Sequence, residues 1–444
     1  MEICRTEISP KKNLSPKETA DMIRHTAINA EHRMEIVDKW IRQNNINNDP
    51  ILKEYNVDLK MQMINLTGRV INAPDIEYNK QARTVVNSGT IGTKGSWDHR
   101  NFKFSCPNNA RRWVVLVMAR TYPDTVPKLA NELIRIGKIH GMRLDQPLEV
   151  VNTGPRPNDR VIDQKFEQLA RKYHSQQNPL DLMLIILSGT DAYKTIKTLG
   201  DMKYGIPTQV IDEKTAGKIN PMTVSNILLK INMKLFGINF SIYQMNKLFT
   251  DYLKYLYGGK DDNLMIMGAD VTHPSNNSND RSPNSESIAA VTGSLDKECC
   301  YYAARLYAQR TPRGQAYELI HDLDKMVVDL ILENQRRNRT FPSRIIFYRD
   351  GVSEGQFSLV LRHEINKIRA ACQHVSPGYK PAITFVIVQK RHHTRFIPTN
   401  PRDYHGNNSN VPPGTVVDNT VVSENMFDYF LCSHSGIQVI IIFY

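Results

Sequence analysis

The chain has 444 residues, with 57 Lys+Arg against 45 Asp+Glu and a formal net charge of +12. Hydrophobic residues make up 41% and charged residues 23%, with 23 Gly and 23 Pro. That balance excludes a collagen-like or wholly disordered chain, and the length suits roughly two to four domains of about 100–200 residues. The positive charge suits a polyanionic partner, and equally a solvated basic surface without one.

The first thirteen residues are polar and lack the apolar core of a secretory signal. The apolar run at 439–444 is far short of the roughly 20 residues of a membrane span. Six cysteines, Cys4, Cys106, Cys299, Cys300, Cys372 and Cys432, form no Cys-x-x-Cys pair. The expectation is a soluble intracellular protein in a reducing compartment, with no membrane contact, disulfide framework or structural zinc.

In chain order, Ser15-Pro16-Lys17-Glu18 reads as a capping box with proline at the first helical position, and Met22, Ile23 and Ala27 follow on one face. A second helix runs through 34–41, and 51–71 reads as short strands and turns. From Pro74 to Asn109 the composition shifts to Asn, Gly, Thr, Ser and Lys, which predicts an extended connector with a turn at Gly95-Ser96-Trp97-Asp98.

A different pattern begins at Trp113. The runs 113–118 and 182–187 are continuously apolar, as in strands buried on both faces. Residues 126–140 form an amphipathic helix with Leu129, Leu133 and Ile136 inward; another helix starts near Asp191, and a third spans 223–235. This alternation predicts a Rossmann-like parallel sheet. A further unit starts with a strand at 264–267, a polar loop, and strands at 287–294 and 299–307 spaced for antiparallel hairpins. A helix at 315–334, a strand at 344–348, a helix at 355–372 and a strand at 383–389 follow. Three strands, helix, strand, helix, strand is the order of a ribonuclease H-like domain. The expected division is 1–75 helical, 76–109 connector, 110–240 Rossmann-like and 241–444 ribonuclease H-like.

Asp270 and Asp350 fall just past the ends of two expected buried strands. Carboxylates on neighbouring strand ends can hold Mg²⁺, and two-metal phosphodiester hydrolysis needs such hard oxygen ligands around two ions about 4 Å apart. An Asp after a strand equally caps the next turn. Glu318, near the start of the expected long helix, is a third candidate, and a glutamate there equally answers the helix dipole. Tyr193 and Lys197 share a helix face, Lys230 and Lys234 repeat the spacing, and Gln209 is placed in the loop between those helices. Two ammonium groups, a phenol and an amide would suit a terminal phosphate if the helices touch; otherwise the lysines are surface charges. Gln389-Lys390-Arg391-His392-His393-Thr394-Arg395 leaves a strand as a basic segment that suits backbone phosphates, or as a solvated loop.

Gly268-Ala269-Asp270-Val271-Thr272-His273-Pro274, then Ile345 through Val352, then Gln389 through Arg395, resemble the PIWI domain of eukaryotic Argonaute proteins. Residues 110–240 resemble the MID domain, and 1–108 the end of PAZ and the second linker. The resemblance implies an α/β protein: a helical linker, a Rossmann-like MID domain and a ribonuclease H-like PIWI domain. It implies a small guide RNA and a complementary target RNA as partners, with silencing proteins on PIWI. The family's grip on the guide 5′ phosphate maps onto Tyr193, Lys197, Gln209, Lys230 and Lys234. Its metal-binding tetrad maps onto Asp270, Glu318 and Asp350, with Mg²⁺ held by Asp270 and Asp350. Lys390, Arg395 and His434 match guide-backbone contacts.

The family's fourth ligand, a histidine, comes after the segment matching Cys432 to Gln438, and this chain stops at Tyr444. The expectation is therefore a PIWI domain short of its C-terminal end, with weak or absent slicing. Guide binding in RNA-mediated silencing is the leading expectation. The alternatives are an active RNA-guided endoribonuclease and a non-functional partial product. Transposases and Holliday-junction resolvases share the carboxylates without the Tyr193/Lys230 unit. Cytoplasmic location is expected, with the nucleus second; the guide class, microRNA or small interfering RNA, stays open.

Overall fold

The computed structural model describes residues 28–60, 62–92, 95–121, 123–175, 177–243, 263–273, 286–310, 318–390, 392–406 and 409–435, with 18, 21, 22, 24 and 25. The expectations for Ser15 to Lys17, Ile23, Ala27, most of the polar loop, the helix start at Gln315, Arg391 and the 439–444 run lie outside the described residues.

A four-stranded parallel sheet forms the first unit: β1 (Trp113–Met118), β2 (Val150–Asn152), β3 (Leu182–Leu187) and β4 (Thr208–Asp212), in the order β2-β1-β3-β4. Every residue of β1 and β3 is buried, which is why both read as unbroken apolar runs. Successive side chains alternate between faces. Trp113, Val115 and Val117 pack with Leu129, Leu133 and Ile136 of α1 (Thr125–Ile139), while Val114, Leu116 and Met118 pack with Ile162, Phe166 and Leu169 of α2 (Asp159–Tyr173). A short α3 (Tyr193–Lys197) runs on as a π-helical turn to Tyr204, and α4 (Pro221–Lys234) closes the unit. The start of α4 is set by Asn220, whose side chain accepts from the Thr223 N–H at 2.9 Å, with Pro221 following it. Gln209 stands on β4 and not in a loop. Its strand was obscured because Thr208 and Gln209 interrupt the apolar pattern, although both are buried.

The second unit holds β5 (Leu264–Thr272), β6 (Glu286–Ser294), β7 (Tyr302–Arg310), β8 (Arg344–Asp350) and β9 (Ala382–Val388) in the order β7-β6-β5-β8-β9. The β7-β6-β5 pairs are antiparallel and β5-β8-β9 parallel. This is the ribonuclease H-like order that the element sequence predicts. Met265, Met267, Val291, Ile345 and Phe347 form its core with Met326, Val327, Leu330 and Ile331 of α5 (Leu323–Asn338) and Ile368 of α6 (Phe357–Val375).

Three expectations change. β5 extends to Thr272, so Asp270 lies within a strand, and Asp350 is the last residue of β8. The long helix begins at Leu323, so Glu318 precedes it and takes no part in its first turn. β7 begins at Tyr302 because Asp296 builds a turn first, accepting from the N–H groups of Cys300 at 2.9 Å and Tyr301 at 2.7 Å.

Nearer the N-terminus, a helix spans Ala30–Asn44. The segment expected as strands opens instead with the helix Pro50–Glu54, because Asp49 caps it by accepting from Ile51 N–H at 2.8 Å. The expected connector carries strands Ile76–Tyr78 and Thr84–Val86, paired antiparallel to each other, and the first also pairs with Ser241–Ile242. Fully buried Tyr78 anchors this small sheet, its hydroxyl accepting from Trp97 Nε1–H at 2.8 Å.

Candidate nucleic-acid interface

The first constellation forms where α3, β4 and α4 meet. Lys197 ends α3, Thr208 opens β4, and Lys234 ends α4. Lys197 Nζ donates to the Thr208 hydroxyl at 2.9 Å and to Asp201 at 3.0 Å. Lys234 Nζ donates to the Thr208 carbonyl at 2.7 Å and to Gln209 Oε1 at 2.8 Å. One threonine therefore holds both ammonium groups. Gln209 is oriented by its own amide N–H, which donates to the Val210 carbonyl at 2.8 Å.

Burial, together with crowded like charges, lowers the proton affinity of the pocket lysine. Burial of the Lys234 ammonium, with Lys197 and Lys230 adding repulsion and Asp201 opposing it, brings Lys234 down to about 8. Lys234 keeps an exposed stem while its ammonium points to the strand. Lys230 is exposed one turn earlier on α4, and Tyr193 is half exposed one turn before Lys197. Lys197, Gln209 and Lys234 are thus in one contact network, Lys230 is electrostatically coupled to it, and Tyr193 borders it on α3. Sequence reasoning missed Thr208 and Asp201. Asp201 was legible as the i+4 partner of Lys197; Thr208 had no signal beyond its place before Gln209.

The second constellation lies at the β5–β8 junction. Ala269 pairs with Arg349 in parallel register, so the next residues, Asp270 and Asp350, stand side by side on strands about 4.8 Å apart. Each carboxylate accepts from the next N–H, Asp270 from Val271 and Asp350 from Gly351, both at 2.8 Å. Gly351 has φ +83°, and a Cβ there would sit 3.0 Å from Asp270 Oδ1. Glycine thus keeps the space beside the Asp270 carboxylate open and takes the left-handed backbone at no steric cost.

Glu318 is held nearby by different partners. Its Oε1 pairs with His273 Nε2 at 2.9 Å, and His273 Nδ1 pairs with the Ser287 hydroxyl at 2.9 Å. Its Oε2 is buried without a hydrogen bond, with Arg349 Nη2 at 3.7 Å. Fully buried Arg349 donates to the carbonyls of Glu318 and Asp350 and to both oxygens of fully buried Glu364 at 3.2 Å. His273, Arg349 and Glu364 were missed: the first two lie inside quoted motifs, but nothing in their spacing shows that they meet. Among the described residues, no group of three or more His, Cys, Asp or Glu side chains is arranged to hold a metal ion. The adjacent aspartates are nonetheless a hard-oxygen pair, which fits Mg²⁺ because that ion commonly takes one or two protein carboxylates beside waters and substrate phosphates.

The third constellation is looser. Lys390 is exposed just past β9. Arg395 turns back on its loop, donating to the carbonyls of His392 at 2.7 Å and Thr394 at 2.8 Å. Partial burial, then the nearby charge of Arg33, lowers its affinity for a proton. His434 is exposed, with Nδ1 3.1 Å from the Ser433 hydroxyl. Among the described residues, no helix is long and apolar enough to cross a membrane.

A Piwi-domain model matches residues 182–440, more than half of the chain, and the chain belongs to that family as an Argonaute-family protein. Among solved structures it is similar to Kluyveromyces polysporus Argonaute with a guide RNA, at TM-score 0.76 and 21% identity over 97% of this chain and 52% of that one. It is similar to Drosophila Piwi at TM-score 0.74 and 20% identity, over 96% of this chain and 54% of that one. The C-terminal lobe of a budding yeast Argonaute matches at TM-score 0.69 and 21% identity, over 85% of this chain and 77% of that one. The chain thus spans about half the length of the first two. At these identities the likeness concerns the fold: a Rossmann-like unit followed by a ribonuclease H-like one.

Proposed function

We propose that this chain binds a small guide RNA by its 5′ phosphate and serves in RNA-mediated silencing through pairing with a target RNA. The supporting observation is the junction at Thr208, where Lys197 and Lys234 reach one residue from two helices. Two ammonium groups with N–H donors to spare, an amide and a neighbouring phenol are the donor set for a phosphate monoester with a base stacked beside it. The +12 net charge supplies a longer-range attraction for the rest of the strand. Lys390, Arg395 and His434 are proposed to contact the guide backbone. The K. polysporus Argonaute structure, similar in fold, contains a guide RNA, which supports this reading.

Asp270 and Asp350 are proposed to hold Mg²⁺, which when bound would supply charge stabilisation for phosphodiester cleavage. Glu318 is proposed as the third acidic residue of that site; here His273 and Arg349 retain it. Target cleavage is the second reading, favoured by the adjacent aspartates.

The test is fluorescence anisotropy with a short RNA carrying either a 5′ phosphate or a 5′ hydroxyl. The phosphorylated RNA is expected to bind more tightly, and Lys197→Ala with Lys234→Ala to abolish the preference. Equal binding of both ends by the unchanged protein rejects the reading.

A further inference from the structure

We propose that Asp201 is a built-in counter-ion of the phosphate pocket: in the free protein its carboxylate occupies Lys197 in place of the anion, and an arriving 5′ phosphate competes with it. This rests on the phosphate-binding reading above. Lys197 Nζ has three N–H donors. One is committed to the Thr208 hydroxyl at 2.9 Å and a second to Asp201 at 3.0 Å. The Asp201 side chain is 52% exposed and that of Lys197 29% exposed, so the carboxylate approaches the ammonium from the open side of the pocket, while Thr208 holds it from the buried side. That open side is the one by which a ligand must come.

The pocket's charges are Lys197 on α3, Asp201 on the π-helical turn, and Lys230 and Lys234 on α4; the strand between contributes the neutral Thr208 and Gln209. Among the described residues of this group, Asp201 is the one negative charge. A dianionic monoester has a reason to displace it: it can take Lys197 and Lys234 together, whereas Asp201 is bonded to Lys197 alone. The cost of displacement weakens every anion that enters, so Asp201 acts as a brake on affinity and speeds release.

Asp163 provides a matched control. It is also an aspartate paired to a lysine, with its carboxylate 2.6 and 2.8 Å from Lys203 and 3.1 Å from the Tyr204 hydroxyl, outside the Lys197–Thr208–Lys234 network. Asp201→Asn and Asp163→Asn therefore change the net charge equally at two comparable surface pairs.

The experiment measures binding of 3′-labelled short RNA, with a 5′ phosphate or a 5′ hydroxyl, to the full chain and to each variant at pH 7 and fixed salt. Asp201→Asn is expected to bind the phosphorylated RNA about five- to tenfold more tightly, the effect of deleting one charge beside a dianion in a half-exposed site. The hydroxyl RNA should change by less than about twofold, and Asp163→Asn should leave both RNAs within that range. Inorganic phosphate should compete more strongly against Asp201→Asn than against the unchanged protein. Weaker or unaltered binding of the phosphorylated RNA by Asp201→Asn overturns the counter-ion role, since a purely structural aspartate would give that result. Equal tightening by Asp163→Asn overturns it in favour of a general charge effect. If the unchanged protein does not distinguish the two RNA ends, the phosphate-binding reading fails first and takes this inference with it.

Discussion

Arg349 offers the sharpest perturbation of the ribonuclease H-like unit. Its guanidinium has no solvent exposure and joins three elements: the end of β8 through the Asp350 carbonyl, the segment before α5 through the Glu318 carbonyl, and α6 through Glu364. Arg349→Met keeps most of the volume and removes every one of those donors. Glu364 is then a buried carboxylate without its counter-charge, which costs about 3–5 kcal/mol, and two carbonyls lose a donor. Burial already pushes the Glu364 carboxyl up, with Arg349 pulling against it. Without Arg349 it rises further, so the penalty is full above that raised value and shrinks as pH falls toward the ordinary carboxyl range. Hydrogen–deuterium exchange read on a peptide spanning β8 is the assay, because a whole-chain melt would mix several units. Protection there should fall by about 10²–10⁴ at pH 7.5 and by less at pH 5.5 after correction for intrinsic rates. Adding Glu364→Leu should restore only part of it, since the two carbonyls remain without a donor. A single variant with protection within about threefold of the unchanged protein would refute the assignment of Arg349 as the tie between these elements.

The proposed phosphate pocket predicts a pH-dependent affinity. Burial brings Lys234 down to about 8 in the free protein, and a bound anion favours its charged form, so affinity for 5′-phosphorylated RNA is expected to be full below that value and to fall as pH rises through it. Lys234→Arg should flatten the profile because guanidinium does not titrate there; an unchanged slope counts against Lys234 as its source. Asp270→Asn together with Asp350→Asn should remove Mg²⁺ binding measured by isothermal titration, while the affinity for 5′-phosphorylated RNA stays within about twofold, the two sites lying on separate sheets and coupling little. Asn220→Ala deletes the cap of α4 and should cost about 1 kcal/mol, seen as faster exchange in the first turn of that helix alone. Leu129→Ala, which removes a buried side chain between α1 and β1, should cost about 2–5 kcal/mol, seen as faster hydrogen–deuterium exchange on a peptide spanning β1.

The buried strands were the legible part of the fold. β1 and β3 match their predicted bounds because both faces are covered and no polar residue interrupts either run. β4 escaped because its polar residues turn toward the lysines, so the chemistry of the site erased the signal of the strand that carries it. The same effect hid the true start of α5, where Glu318 belongs to an ion-pair network and not to a helix turn. Strands Ile76–Tyr78 and Thr84–Val86 were hidden by length: three residues each give no period, and their stability comes from Tyr78 and from pairing with residues 241–242 far along the chain. Within the site, helical spacing made Lys197 and Lys234 legible. Their meeting was not, because it depends on where β4 lies between two helices.

The most direct test is the position of a phosphate in a crystal of this chain soaked with uridine 5′-monophosphate. The account predicts phosphate oxygens within hydrogen-bond distance of Lys197 Nζ and Lys234 Nζ, with Asp201 withdrawn from Lys197. A phosphate bound elsewhere, with both lysines still donating only to Thr208, Gln209 and Asp201, would contradict it.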